Sequence, residues 1–374
     1  MGEILIEFKY LDKSIAIILL FIIYIILVKE YLTLGLTILF LLLYFYGYTT
    51  YSTALALIVL ITSFKSVALF IFQRTFGVPI PKMFFSHGCI VIKTSKTYKL
   101  IAGIEVKSVY SQVENLHEFE ILHKCRMFLD IMTHEVHIII SRSKRIRYFI
   151  LFVVKGLYLE KLREELITKL RTLIKTLTVM GVEVDFIECP YEIYANINIR
   201  KAKQRLYIPL AILLLSVILI NSHNTLEVLM GLYLILILIV VIILKLRNDC
   251  IEIDDKVLIL NNTQFPYSYP SPAEIKDSCI YAHHLFNSLN DYVIIVKLKP
   301  FKNHDFLNEP KYFYDIEKGR AALRRMRERK ERLFLVNIIA FFKDEKSMKT
   351  FKAYMHRLGY EMKFPLILPH NILS

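Results

Sequence analysis

The sequence predicts a polytopic α-helical membrane protein with five transmembrane helices and two cytoplasmic α+β domains. Three observations lead there. Apolar residues make up 55% of the 374 residues and are gathered into long blocks rather than spread. Lys and Arg cluster at one set of block ends, and charged residues still amount to 22% of the chain, most of them in two long stretches outside the blocks. This composition excludes disordered, collagen-like and disulfide-rich secreted classes.

The apolar blocks are residues 14–28, 32–46, 53–72, 206–220 and 228–244. Each approaches the ~20 helical residues that cross a ~30 Å hydrocarbon core, the shorter ones with local thinning of the bilayer. No basic region directly follows Met1 and no small-residue cleavage site follows Val28, so the first block reads as a retained span. Lys29, Arg74, Arg200, Lys201, Lys203, Arg205, Lys245 and Arg247 fall on one side if the N-terminus is outside. The connections 47–52 and 221–227 carry no Lys or Arg, and only Lys9 and Lys13 run against the pattern. Basic residues favour the cytoplasm, which predicts a multi-pass protein of the cell membrane with both long stretches cytoplasmic. The domains are then 1–74, three transmembrane helices; 75–205, a first cytoplasmic domain; 206–247, a transmembrane hairpin; and 248–374, a second cytoplasmic domain.

In the first stretch, apolar runs 89–93 and 98–107 flank polar Thr94, Ser95 and Lys96 and read as a hairpin. A helix over 115–130 and strands over 135–140 and 146–154 follow. Leu159, Leu162, Leu166, Leu170, Leu173 and Leu177 recur at spacings of three and four, which places them on one helical face. Gly181 ends that helix and 182–187 forms a last strand. After the leading strand, this order is that of a ferredoxin-like split βαβ unit. The second stretch repeats part of it: strand 292–299, helix 315–332, strand 333–342, helix 345–358 and strand 361–366. Residues 180–186 align with 358–364, each run trailed by a proline (Pro190, Pro365), which points to a degenerate internal duplication.

Membrane spans leading into two such domains resemble the N-terminal, non-catalytic half of the conjugative ATPases of type IV secretion systems and their archaeal DNA-transfer relatives. The segments that carry the resemblance are the run 99–107 entering helix 115–130, and the units ending at Phe186 and Phe364. It implies a non-enzymatic inner-membrane scaffold subunit of a macromolecular, DNA-transfer machine, which docks a P-loop ATPase made by another gene and assembles with other membrane subunits or copies of itself. The ATPase half of that family is missing here. The rival readings are a small-molecule transporter or membrane sensor, and a secretion platform protein, whose cytoplasmic parts would be more helical.

Several chemistries are excluded by spacing. None of the eleven glycines are four or five apart, so neither G-x-x-x-x-G-K-[ST], G-x-S-x-G nor G-x-x-x-G exists, and G-x-G is absent as well. An enzyme is therefore not expected, nor any cofactor. His134, Glu135 and His137 form H-E-x-H rather than H-E-x-x-H and begin a strand, where they read as polar surface or strand-edge groups. His117 and His123, six apart, diverge, and His283 and His284 near Cys279 lack further ligands, so no metal site is expected. Cys89, Cys125, Cys189, Cys250 and Cys279 are too widely spaced for metal or disulfide frameworks and read as reduced thiols.

The candidate site residues are all cations. Arg320, Arg324, Arg325, Arg327, Arg329, Lys330 and Arg332 lie on a helix with few large apolar positions, so much of it faces water or a partner; Glu328 and Glu331 compensate only in part. Arg142, Lys144, Arg145 and Arg147 form a smaller patch at a turn. With a net charge of +14, these surfaces suit anionic lipid headgroups, an acidic protein or, indirectly, nucleic acid. Lys65 is the one ionisable residue within the blocks as drawn, placed to snorkel or to serve an interhelical role.

Overall fold

The computed structural model describes residues 49–86, 88–93, 97–109, 118–187, 199–201, 205–222, 225–253, 257–262, 265–267, 284–301, 324, 328, 332–358 and 360–365. In chain order, helix α1 (Thr49–Phe76) leads to strands β1 (Val78–Pro81), β2 (Met83–Ser86), β3 (Cys89–Lys93) and β4 (Tyr98–Val109). Helix α2 (Glu118–Ile131), strands β5 (Glu135–Arg142) and β6 (Ile146–Gly156), helix α3 (Leu159–Val179) and strand β7 (Val182–Phe186) follow. Beyond β8 (Ile199–Lys201) come helices α4 (Tyr207–Ile220) and α5 (Thr225–Arg247), then β9 (Asn248–Ile253), β10 (Leu258–Asn262) and β11 (Phe265–Tyr267). Strands β12 (Tyr292–Pro300) and β13 (Phe334–Phe342), helix α6 (Glu345–Arg357) and strand β14 (Met362–Lys363) close the series. The described residues divide into a helical unit, those up to 79 and between 201 and 251, and a sheet unit made of the other described residues.

The sheet unit is one 11-stranded sheet in the order β14-β10-β13-β12-β5-β6-β4-β3-β2, with β11 also on β13 and β7 also on β4. Its pairings are antiparallel. Residues 98–186 run strand, helix, strand, strand, helix, strand and lie in the order β7-β4-β6-β5; the second half lies in the matching order β14-β10-β13-β12. The matched sequence runs 180–186 and 358–364 thus occupy equivalent places, each entering the strand that closes its half. The halves join where β5 pairs β12, from Arg142↔Tyr292 through Ile139↔Ile295 to Val136↔Leu298.

One face of the sheet is covered by helices because their apolar periodicity demands it. Leu162, Leu166, Leu170, Leu173 and Leu177 of α3 are buried in one stripe, and Met348, Phe351 and Met355 of α6 in another. Both stripes belong to a single core with Val136, Phe152, Ile294 and Phe342. Gly181 adopts φ 77 immediately after α3, a left-handed position that glycine takes without a Cβ penalty, and so turns the chain into β7. Asp344 caps α6 by accepting a hydrogen bond from the Ser347 amide at 2.7 Å. The opposite face is buried too, through Ile101, Ile139, Leu151, Val153, Ile295 and Ile339.

In the helical unit, Ala68, Phe72 and Phe76 of α1 pack on Ile237 and Val241 of α5 and on Cys250. Phe64 meets Tyr233 edge-on at 5.8 Å. At Gly231 a Cβ would stand 2.8 Å from the Ser216 carbonyl oxygen, so the missing side chain lets α5 approach α4 closely. Strands β1, β9 and β8 form a separate three-stranded sheet in that order.

The structure corrects the sequence-based fold. Among the described residues one helix, Glu227–Arg247, is long and apolar enough to cross a membrane, where five were expected. Blocks 14–28 and 32–46 lie outside the described residues. Block 206–220 forms the 14-residue α4, about 21 Å long and short of a ~30 Å core. Block 53–72 lies in α1, whose Ala68 and Phe72 are buried in helix packing. The polytopic membrane class and the multi-pass location with an outside N-terminus are therefore not supported, nor is the assignment of both stretches to the cytoplasm that rested on them. Nor are there two separate ferredoxin-like domains, since β5 and β12 hydrogen-bond into one sheet over one core. The physical reason lies in the strands: a sheet buried on both faces needs near-continuous apolar runs rather than alternation. In β13 eight of nine residues are buried, and in β6 a run of six. The described blocks drawn as spans are helices, in α1, α4 and α5, and the strands hold a further part of the apolar composition.

Candidate functional site

Among the described residues, the densest set of interacting ionisable side chains lies at the seam between the two halves. On β5, Glu135 and His137 point to the face opposite the helices, because residues two apart share a side of a strand. The register sets Lys297 of β12 opposite His137, and Lys155 of β6 opposite Lys99 of β4. Four strands thus deliver five polar side chains to one patch. Glu135 is its hub: Oε1 lies 3.0 Å from His137 Nε2 and 3.6 Å from Lys99 Nζ, and Oε2 accepts from Lys155 Nζ at 3.1 Å. His137 is fully buried, and its Nδ1 has no hydrogen-bond partner. The polar row continues through Asn337, opposite Lys297, whose Nδ2 donates to Asn261 Oδ1 at 3.1 Å.

Burial and charge pull these groups in opposite directions. Burial pulls the His137 imidazole down to about 4 against the raising effect of Glu135, so at neutral pH it is uncharged and Nε2 carries the proton it shares with the carboxylate. Burial works to raise Glu135, but the hydrogen bond from His137 and the charge of Lys99 outweigh it and hold the carboxyl well below the usual range. Burial lowers Lys99 to about 8, opposed by Glu135, and Lys297 to about 7, reinforced by Lys99. A carboxylate held this far below its usual range by a histidine and two lysines is a weak base at neutral pH. The arrangement therefore suits a clasp that ties β4, β5 and β6 beside the seam. Among the described residues no three His, Cys, Asp or Glu side chains converge to hold a metal ion.

The cations singled out by sequence have separate fates. Arg142 faces inward across the seam, where Nη1 donates to the carbonyls of Phe286, Asn287 and Leu289 at 3.1, 2.6 and 2.7 Å and closes the helical turn at 284–288. Arg147 forms a two-pronged pair with Glu105, at 2.7 and 2.9 Å, while its guanidinium sits 4.8 Å from the Phe149 ring centroid. The hydrogen bond from Arg147, against burial, holds the Glu105 carboxyl down at about 2. Lys144 and Arg145 stand exposed in the β5–β6 turn. Arg324 pairs with Glu328 four residues on at 2.7 Å, both exposed. Arg332 donates to the Asp130 carbonyl at 2.6 Å, which ties it to the C-terminal turn of α2. Lys65 is exposed on α1. Arg320, Arg325, Arg327, Arg329 and Lys330 lie outside the described residues, as do His117 and His283.

Sequence reading missed the seam network and placed His137 at a polar surface or strand edge. The available signal was a lone polar residue inside each of several apolar runs: His137 in Val-His-Ile-Ile-Ile, Lys297 in Ile-Ile-Val-Lys-Leu. Only strand register shows that these residues meet. No family model matches the chain, and no curated protein matches it in sequence. The resemblance to conjugative ATPases thus rests on element order alone.

Proposed function

We propose that this chain is a non-enzymatic scaffold subunit of a macromolecular transfer machine, with DNA as the expected cargo, and that it docks a separate P-loop ATPase through exposed basic surface. The observation that carries the reading is the β5–β6 turn, where Lys144 and Arg145 are exposed at the end of a strand pair held rigid by Arg142 and Arg147. A loop on a stiff sheet presents its charges to an acidic partner without the entropic cost of ordering a mobile segment. The test is affinity capture of the full chain from its own cells at low and high salt, with the bound proteins identified by mass spectrometry. A protein with a Walker A sequence should be retained at low salt, released at high salt, and lost from Lys144→Glu/Arg145→Glu. Retention of the same ATPase by that variant would remove the turn from the docking surface.

Lipid is the partner that suits the helical unit. Leu214 and Ile218 of α4 and Leu236, Ile239 and Ile242 of α5 are exposed, a density of apolar side chains that water tolerates poorly. Lys245 and Arg247 lie in the last turn of α5, where they fit anionic headgroups. Flotation of the full chain with anionic vesicles checks this, and a chain that stays at the bottom of the gradient speaks against it.

A further inference from the structure

We propose that the outer side of α6, together with Phe364 just beyond β14, is a binding site for single-stranded nucleic acid. Helix α6 buries its apolar side through Met348, Phe351 and Met355 and turns Lys346, Lys349 and Lys352 outward, with Lys343 exposed just before its start. The segment 343–357 holds two acids against five Lys and Arg residues. Asp344 is spent on the helix cap, and Glu345 meets Lys349 at 2.8 Å in a solvent-exposed pair. The field on this side of the helix is therefore positive. Beside it the ammonium of Lys352 lies 5.2 Å from the ring centroid of Phe364, and Phe364 is 50% exposed.

That pairing decides among polyanions. A single strand offers phosphates to a row of cations and unpaired bases to an aromatic ring, and base stacking on such a ring is tolerant of sequence. A lipid surface would match the charge, but insertion needs an apolar stripe on the outward side, and the stripe of α6 is already in the core. An acidic protein would match the charge and leave the exposed ring without a role. Lys346 to Lys352 span about 9 Å along the helix axis, so with Lys343 before the helix the row follows a few successive phosphates. This site lies on α6, away in sequence from the β5–β6 turn assigned to ATPase docking, and its readout does not depend on that assignment.

The experiment is fluorescence anisotropy of a labelled oligothymidylate titrated with the full-length chain over a range of salt. Four lysines contacting phosphates predict a slope of log K against log salt of about −2.8, and Lys346→Ala/Lys352→Ala should reduce it to about −1.4. Phe364→Ala should weaken binding by about 5- to 150-fold while leaving the slope unchanged, and Phe364→Tyr should restore it. Phe186→Ala removes a comparably exposed ring at the end of β7 and should leave the affinity intact. All these side chains are exposed, so thermal melting of the variants should match the parent. No binding at low salt would overturn the proposal. An unaltered affinity in Phe364→Ala, an equal loss in Phe186→Ala, or duplex DNA bound as tightly as the single strand would overturn it as well. So would equal competition by polyglutamate, which would mark the surface as one for acidic protein.

Discussion

Arginines two to five residues apart in sequence do unlike work here, and substitution should separate them. Arg142→Ala removes three hydrogen bonds from a charged donor to carbonyls that close a helical turn, and should cost about 1–3 kcal/mol in urea unfolding. Lys144→Glu/Arg145→Glu changes exposed side chains in the adjoining turn and should stay within about ±0.5 kcal/mol per site. His137 gives the molecule a pH signature. Its pKa is about 4 when folded and 6.5 when free, so between those values the unfolded chain takes up a proton that the folded chain refuses. Stability should therefore rise with pH across that window and be lost as pH falls through it. Glu105, held at about 2 against an ordinary 4.5, contributes stability above 4.5 that is lost below, with the same sign. The urea midpoint measured from pH 7 down to 4 should fall in the parent. In His137→Gln it should stay nearly flat until about pH 4.5, and a parent-like slope in that variant would refute the assignment.

At the scale of single elements, α3 shows how a pattern becomes energy. Leu166 and Leu173 are 0% exposed in the middle of its stripe, so truncation leaves a cavity in the shared core. Leu166→Ala should lower the unfolding free energy by about 2–5 kcal/mol, whereas Ile167→Ala, on the solvent side at 48% exposure, should change it far less. Similar losses at both positions in a urea titration would mean that α3 does not pack as described. The leucine spacing made this helix and its buried side legible in advance. The pairing of β5 with β12 was not legible, because an antiparallel edge with an apolar face accepts any strand of matching pattern.

For the molecule as a whole, the continuous sheet and shared core predict that the two halves of the sheet unit unfold together. Leu166 and Phe351 belong to the same cluster although 185 residues separate them in the chain. The chain contains no tryptophan, so single reporters are unambiguous. Tyr148→Trp in the first half and Tyr354→Trp in the second should report coincident urea transitions of equal midpoint and slope, as two-state behaviour requires. Two resolved midpoints would restore the separate domains that the element order suggested.

The sequence by itself determined the helices with regular apolar stripes, the stop at Gly181, the absence of P-loop glycines and the likeness of residues 180–186 to 358–364. Each of these is a local property, set by spacing along the chain. Tertiary structure alone decided that the two halves form one sheet, that apolar runs serve strands buried on both faces, and that Glu135, His137, Lys99, Lys155 and Lys297 meet at one patch. Those outcomes depend on strand register between segments up to about 160 residues apart, and hydropathy, summed along the chain, carries no record of which strands pair.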